Sequence, residues 1–206
     1  GIMQPVSKAR AKGIKMVLII GITGATGAIY GIRLLEVLSK IEAVETHVII
    51  SKSGEETIKH ETDYEPNEVK ALANFAYDID DIGASLASGS FHRDGMIIAP
   101  CTIKTMSALA NSYAENLIIR AGDVTLKERK PLVLVVRETP LHLGHLRSMV
   151  QLTEMGAIIF PPVPTFYNKP KVIDDIVNTT IGRLLDLFNI QHNLSVRWSG
   201  FATTDE

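Results

Sequence analysis

Three loops and a scattered set of cations hold the residues best suited to chemistry. Gly21-Ile22-Thr23-Gly24-Ala25-Thr26-Gly27 combines glycines, which allow a tight turn, with two threonine hydroxyls. If a helix follows, its first N–H groups can hold a phosphate. A plain strand-to-helix turn accounts for the same residues. Only Gly24 and Gly27 keep part of the Gly-x-Gly-x-x-Gly dinucleotide spacing. The next apolar run ends Ile50-Ser51-Lys52-Ser53, without the acidic residue that would suit a nicotinamide ribose. The pattern favours a mononucleotide phosphate.

The second loop, Ala99-Pro100-Cys101-Thr102-Ile103-Lys104-Thr105, offers hydroxyls and N–H groups beside the first if their strands are neighbours. Cys101 reads as a nucleophile or as inert packing, and no histidine follows it locally. Arg120, Lys127, Arg137 and Arg183 each fall near the end of a predicted element, and are either anion ligands or solvated surface. Arg137 ends a buried run and precedes Glu138-Thr139-Pro140, which places an anion clamp beside a proton donor. His142 and His145 have metal-ligand spacing but lack a third partner at a recognisable distance. His47 reads as structural. Trp198 is either loose surface or an aromatic wall over a ligand.

These loops need a scaffold, and the hydrophobic pattern supplies one. Apolar runs at 16–22, 46–51, 95–99, 132–137 and 157–160 are rich in Ile and Val and lack a polar face, as in strands covered on both sides. Helical periods alternate with them at 28–39, 66–76, 103–110, 115–128, 143–155 and 173–188. Asp174 and Asp175 fall in the first turn of the last, where the helix dipole favours them. The alternation predicts a three-layer, doubly wound α/β fold with a mostly parallel sheet and a single domain over 16–200. Residues 1–15 read as an extension or tag remnant, and 201–206 as a tail. The proline-rich stretch 160–170 reads as a stiff loop leaving a strand's carboxyl end, where open α/β sheets bind ligands.

Composition narrows the class. The 206 residues are 46% hydrophobic and 21% charged, an ordinary globular balance. A net charge of −2 gives no general attraction to nucleic acid or an anionic membrane. The apolar runs are too short to span a bilayer. One cysteine rules out an intrachain disulfide framework and suits a reducing compartment. A cytoplasmic location is expected, or a mitochondrial one if the source is eukaryotic.

An ordered set of short pieces resembles the UbiX/Pad family of flavin prenyltransferases. They are Thr23-Gly24-Ala25-Thr26-Gly27, Glu45-Thr46-His47 with Ser51-Lys52, Ser88-Gly89-Ser90-Phe91, Asp94-Gly95-Met96-Ile97-Ile98, Pro100-Cys101-Thr102 and Arg120-Ala121-Gly122-Asp123-Val124. Leu126-Lys127-Glu128-Arg129, Arg137-Glu138-Thr139-Pro140-Leu141, Pro161-Pro162-Val163-Pro164-Thr165-Phe166-Tyr167 and Arg197-Trp198 complete it. The resemblance implies transfer of a dimethylallyl group from dimethylallyl phosphate to reduced FMN, making prenylated FMN for a UbiD-type decarboxylase. It implies no metal. It further implies that Gly24, Ala25, Thr26, Ser51, Thr102, Ile103, Lys104, Thr105 and Arg137 bind FMN, and that Lys127, Tyr167 and Arg183 hold the donor phosphate. Arg120 would join the same polar site, Glu61 and Glu138 would handle protons, and Trp198 would line the prenyl chain. Trimers stacked into dodecamers are implied, so these residues need not come from one chain. Thr26 stands where many relatives have serine, and Gly122 where alanine is usual. The competing readings are an FMN-dependent cysteine decarboxylase of the phosphopantothenoylcysteine type, a direct phenolic acid decarboxylase and a non-enzymatic FMN carrier. The cysteine decarboxylases are expected to carry an Asn-containing Pro-Ala-Ser-Ala-Asn-Thr motif, where this chain has Pro100-Cys101-Thr102-Ile103-Lys104-Thr105.

Overall fold

The computed structural model describes residue 13 and residues 15–194. Trp198, the tail 201–206 and all but two residues of the 1–15 extension lie outside the described residues.

Six strands, β1 (Met16–Ile22), β2 (Val44–Ile50), β3 (Phe75–Tyr77), β4 (Gly95–Cys101), β5 (Leu132–Val136) and β6 (Ile158–Ile159), form one sheet in the order β3-β2-β1-β4-β5-β6. Every pairing is parallel. Among the described residues, seven α-helices connect and cover it: α1 (Ala28–Leu38), α2 (Lys52–Glu61), α3 (Pro66–Ala71), α4 (Ile103–Ala110), α5 (Leu117–Lys127), α6 (Leu143–Glu154) and α7 (Ile173–Leu187). A 3-10 turn, Ser85–Ala87, precedes β4.

Alternate strand residues feed two separate cores, which is what makes three layers. Leu18, Ile20, Val48, Ile97 and Val133 pack under α1 and α7 with Ile32, Leu35, Ile181 and Leu184. Ile19, Ile49, Met96, Ile98 and Leu134 pack on the other face with Met106, Leu109, Ile118 and Leu152. The predicted doubly wound fold holds, and the sheet is parallel throughout.

Two elements differ from the sequence reading. The helical period at 66–76 breaks after α3, and β3 follows as an edge strand. Asn74 causes the change of course, because its Oδ1 accepts from the Thr46 N–H at 2.8 Å and ties the chain to the flank of β2. The helix α2 has no apolar period, since Gly54 and Ile58 are its only buried residues. Its polarity hides it from a hydrophobic pattern, although Ser51 caps it by accepting from the Gly54 N–H.

The sheet order reverses between β1, whose chain continues towards β2, and β4. The crevice at this reversal is where doubly wound sheets bind ligands. Helix α1 comes close to the sheet here because Gly31 has no side chain: a Cβ would collide with the Ala99 carbonyl and lie 2.8 Å from Ile22 Cγ1. Gly31→Ala is expected to cost about 1–3 kcal/mol, the usual range for overpacking. Urea unfolding should show a lower midpoint at unchanged slope.

Candidate functional site

The two loops flank the reversal and are sewn together. Thr23 Oγ1 donates to the Pro100 carbonyl at 2.7 Å and accepts from the Thr102 N–H at 2.9 Å. Thr23 is 2% exposed, so its hydroxyl is a stitch between β1 and β4 and not a ligand donor. On the β2 side, the Ser51 N–H donates to the Ile22 carbonyl at 2.9 Å, and Thr57 Oγ1 donates to the Gly24 carbonyl at 3.1 Å. These bonds place Gly24, Ala25, Thr26, Ser51 and Thr102 along one rim at the carboxyl edge of the sheet.

The start of α1 does not offer an empty anion site. Glu61 Oε2 accepts from the N–H groups of Gly27 at 2.8 Å and Ala28 at 3.1 Å. The Thr26 hydroxyl also bonds to Glu61. Burial raises the Glu61 carboxyl, but these hydrogen bonds outweigh it and hold the group below its ordinary value of 4.5. Glu61 is therefore an ionised internal anion at the α1 dipole, and a proton acceptor at neutral pH. Its contribution to stability is present above pH 4.5 and is lost as pH falls through the lower folded-state value. Unfolding of the wild type and Glu61→Gln across pH should show their stability difference largest at neutral pH and shrinking in acid. A pH-independent difference would contradict the ionised cap.

The start of α4 is more open to a ligand. Thr102 caps it by accepting from the Thr105 N–H at 3.1 Å, and its hydroxyl donates to Thr105 Oγ1 at 3.1 Å. Ile103 and Lys104 occupy the first turn, where N–H groups lack helical acceptors. The Lys104 side chain turns away to Glu115 at 2.9 Å, leaving its backbone as the part that faces the crevice. Cys101 beneath is fully buried, and burial pushes its thiol up, out of reach of nucleophilic use. Arg137 continues from β5 beside the second loop, its N–H donating to the Cys101 carbonyl at 3.3 Å. Tyr30, on α1, is half-buried; burial raises its hydroxyl's pKa against the opposing pull of the Arg137 charge. Glu138, which follows Arg137, is exposed and accepts from the Thr139 N–H at 3.0 Å. Sequence reasoning did not single out Tyr30.

The remaining cations sit elsewhere in the chain. Helix α5 runs antiparallel to the strands, and only residues 128–131 separate Lys127 from the first residue of β5. Lys127 is thus at the amino edge of the sheet, opposite the loops. Arg183 lies in the second half of α7, whose end packs Phe188 against Gly95 at the start of β4. Arg120 is half-buried one turn into α5, and its Nε donates to the Ala87 carbonyl at 3.2 Å. Tyr167 is at the carboxyl edge, in the loop after β6, which is anchored by the Asn168 amide donating to Thr179 at 3.0 Å. One chain does not bring all the expected site residues together. The physical reason is helix direction: residues late in α5 and α7 are carried down the sheet.

Each of the three helix cations rests on a nearby carboxylate. Arg120 pairs with Asp123 at 3.3 Å, Lys127 with Glu128 at 2.7 Å and Arg183 with Asp186 at 3.0 Å. Pairs at or near the surface such as these contribute little to stability. His142 and His145 stack at 3.5 Å and cap α6, the His142 Nδ1 accepting from the Gly144 N–H at 3.0 Å. No group of three or more His, Cys, Asp or Glu residues able to hold a metal occurs among the described residues.

Comparison with known proteins agrees with this architecture. The family model described as Flavoprotein matches residues 6–185. The flavin prenyltransferase UbiX of Thauera aromatica is 56% identical over 185 residues, covering 90% of this chain and 95% of that one. A solved UbiX in complex with FMN and dimethylallyl pyrophosphate superposes with a TM-score of 0.89 at 48% identity, over 91% of this chain and 99% of that one. A dodecameric FMN-dependent UbiX-like decarboxylase from Escherichia coli O157:H7 superposes with a TM-score of 0.89 at 47% identity, over 90% and 100%. Similarity of this extent, on a fold whose two threonine-bearing loops meet at the sheet reversal, makes the chain a member of the flavoprotein family and, within it, of the UbiX flavin prenyltransferases.

Proposed function

We propose that the chain transfers a dimethylallyl group from dimethylallyl phosphate to reduced FMN, releasing phosphate and yielding prenylated FMN for a UbiD-type decarboxylase. The observation that carries the reading is the match to the Thauera aromatica enzyme over nearly the whole of both chains. FMN, when bound and reduced, supplies an electron-rich ring as the prenyl acceptor. Gly24, Ala25, Thr26, Ser51 and the segment from Thr102 to Thr105 line its phosphate and ribityl side, and Arg137 adds a positive charge over the loops. Lys127, Arg183 and Tyr167 hold the donor phosphate with Arg120, and stabilise its negative charge as the allylic C–O bond breaks. Glu138 gives or takes the proton next to that phosphate, and Glu61 orders the loop through Thr26. Trp198 lines the prenyl chain.

Because Lys127 and Arg183 lie away from the flavin loops, the working site is assembled from more than one chain in a trimer-based homo-oligomer, with a dodecamer as its full form. Leu143, Leu146 and Val150 form an exposed apolar face on α6, which suits burial against another copy. The single cysteine and the bacterial relative favour a cytoplasmic enzyme. A UbiD-type partner as recipient of the product is what the resemblance to the UbiX/Pad family implies.

Anaerobic incubation with reduced FMN and dimethylallyl phosphate, then mass spectrometry of the released flavin, tests the reading. A flavin heavier by one five-carbon unit is expected. If only unmodified flavin is recovered, and dimethylallyl diphosphate also fails as donor, the transferase reading gives way to decarboxylase or carrier.

A further inference from the structure

Two stretches have no task in the flavin or donor sites, Glu45-Thr46-His47 and the residues that follow Ser88-Gly89-Ser90. The fold joins them into one support. His47, buried in β2, is hydrogen-bonded through Nε2 to Glu45 at 3.0 Å and through Nδ1 to the Tyr77 hydroxyl at 3.0 Å. It stacks on Phe75 at 4.8 Å and meets the Phe91 ring edge-on at 5.1 Å. Phe91 in turn lies 5.5 Å from the guanidinium carbon of Arg93.

Arg93 is 2% exposed, an unusual place for a charge. Among the described residues, no carboxylate stands within ion-pair distance of it, and its Nε has no hydrogen-bond partner. Its other nitrogens are spent on backbone carbonyls and, at 3.5 Å, the Thr125 hydroxyl. Nη2 donates to the carbonyls of Ser88 at 2.6 Å and Leu86 at 3.0 Å, and Nη1 to the carbonyl of Ala121 at 3.2 Å. Ala121 follows Arg120 on α5, so the planar fork staples the 86–88 turn to the helix that carries both Arg120 and Lys127. The turn is pressed against the Lys127–Glu128 pair: a Cβ on Gly89 would collide with Glu128 Oε1 and lie 2.8 Å from Lys127 Nζ, so an incoming phosphate takes the place of the Glu128 carboxylate on the lysine. On its open side, the Ser88 and Ser90 hydroxyls are exposed and 2.8 Å apart.

We propose that Arg93 is a positioning residue, holding the Ser88-Gly89-Ser90 turn against Lys127 and Arg120 so that two hydroxyls and two cations form one pocket for the donor phosphate. This rests on the reading of the chain as a flavin prenyltransferase. Arg93 does not touch the phosphate. A buried charge is tolerated where its hydrogen bonds fix the geometry of groups that do. Lysine at this position keeps the charge but cannot span the turn and the helix with one ammonium.

The test compares assembled wild type, Arg93→Lys and Arg93→Gln in three measurements. These are steady-state kinetics with dimethylallyl phosphate, FMN affinity by flavin fluorescence, and calorimetric titration of inorganic phosphate into FMN-loaded protein. In both variants, KM for the donor and Kd for phosphate should rise about tenfold, a loss of one charged hydrogen-bond's worth of order, while FMN affinity stays within about twofold. Unchanged KM and phosphate affinity in variants that bind FMN would overturn the proposal. So would loss of FMN binding in both variants, since Arg93 would then support the whole domain. If the wild type itself makes no prenylated flavin, the functional reading fails separately, and the phosphate titration alone decides whether Arg93 orders an anion pocket.

Discussion

Lys127→Ala is expected to leave FMN bound and to lower kcat/KM for dimethylallyl phosphate by about 10²- to 10³-fold, the loss typical of removing one preorganised charge from a transition state. The effect is large because the reaction leaves a phosphate behind. As the allylic bond breaks, negative charge grows on the leaving oxygen, and in the proposed site Lys127 meets it together with Arg120 and Arg183. FMN should stay bound because Lys127 makes none of the bonds that hold the flavin loops together, its side chain pairing with Glu128. Replacing it removes only an exposed pair with Glu128, so the fold should hardly register the change. Flavin fluorescence titration and donor kinetics on the same preparation check both halves. Full turnover in this variant would remove Lys127 from the site, and loss of flavin with turnover would mean that the separation of the two edges has been misjudged.

The parts of this arrangement visible in the sequence are those encoded by local pattern. The strands β1, β4 and β5 announce themselves because they are covered on both faces and so contain no charged residue and no polar face. Thr102 is legible as a cap because a hydroxyl between a buried strand and a helical period has few other uses. What pattern does not encode is competition for a group. The glycine loop looks like a phosphate cradle, yet the N–H groups of Gly27 and Ala28 at its helix end are claimed by Glu61, 34 positions beyond Gly27. Thr23 looks like a ligand donor and is spent on Pro100. Arg93 gives no signal, because an isolated arginine before a strand usually means solvent, and only the three-dimensional fold turns it inward onto carbonyls. Pattern leaves the cations on α5 and α7 open between anion ligands and solvated surface, and only the resemblance implies a role for them. Their distance from the loops follows from helix direction, which becomes meaningful only once the sheet order is known.

That distance carries the second large prediction. The seven residues of β4 span roughly 20 Å at the usual rise of an extended chain, which separates the amino edge from the carboxyl edge of the sheet. Glu138 stands at one edge and Lys127 at the other, so a single chain should not present both to one donor molecule. Two inactive variants should therefore rescue each other. Glu138→Gln and Lys127→Ala, coexpressed with different tags and purified through both, form mixed oligomers. If each site draws Lys127 from one subunit and Glu138 from another, about a quarter of the sites in an equal, random mixture regain both residues. Activity should rise from near zero in either parent to roughly that fraction of wild type. If one chain supplied both residues, no site in the mixture would be intact, and the mixed oligomers would stay as inactive as their parents. The same pair of outcomes bears on self-association: rescue requires a stable assembly in which the amino edge of one subunit faces the flavin loops of the next. Every subunit would then act as flavin holder in one site and phosphate holder in another.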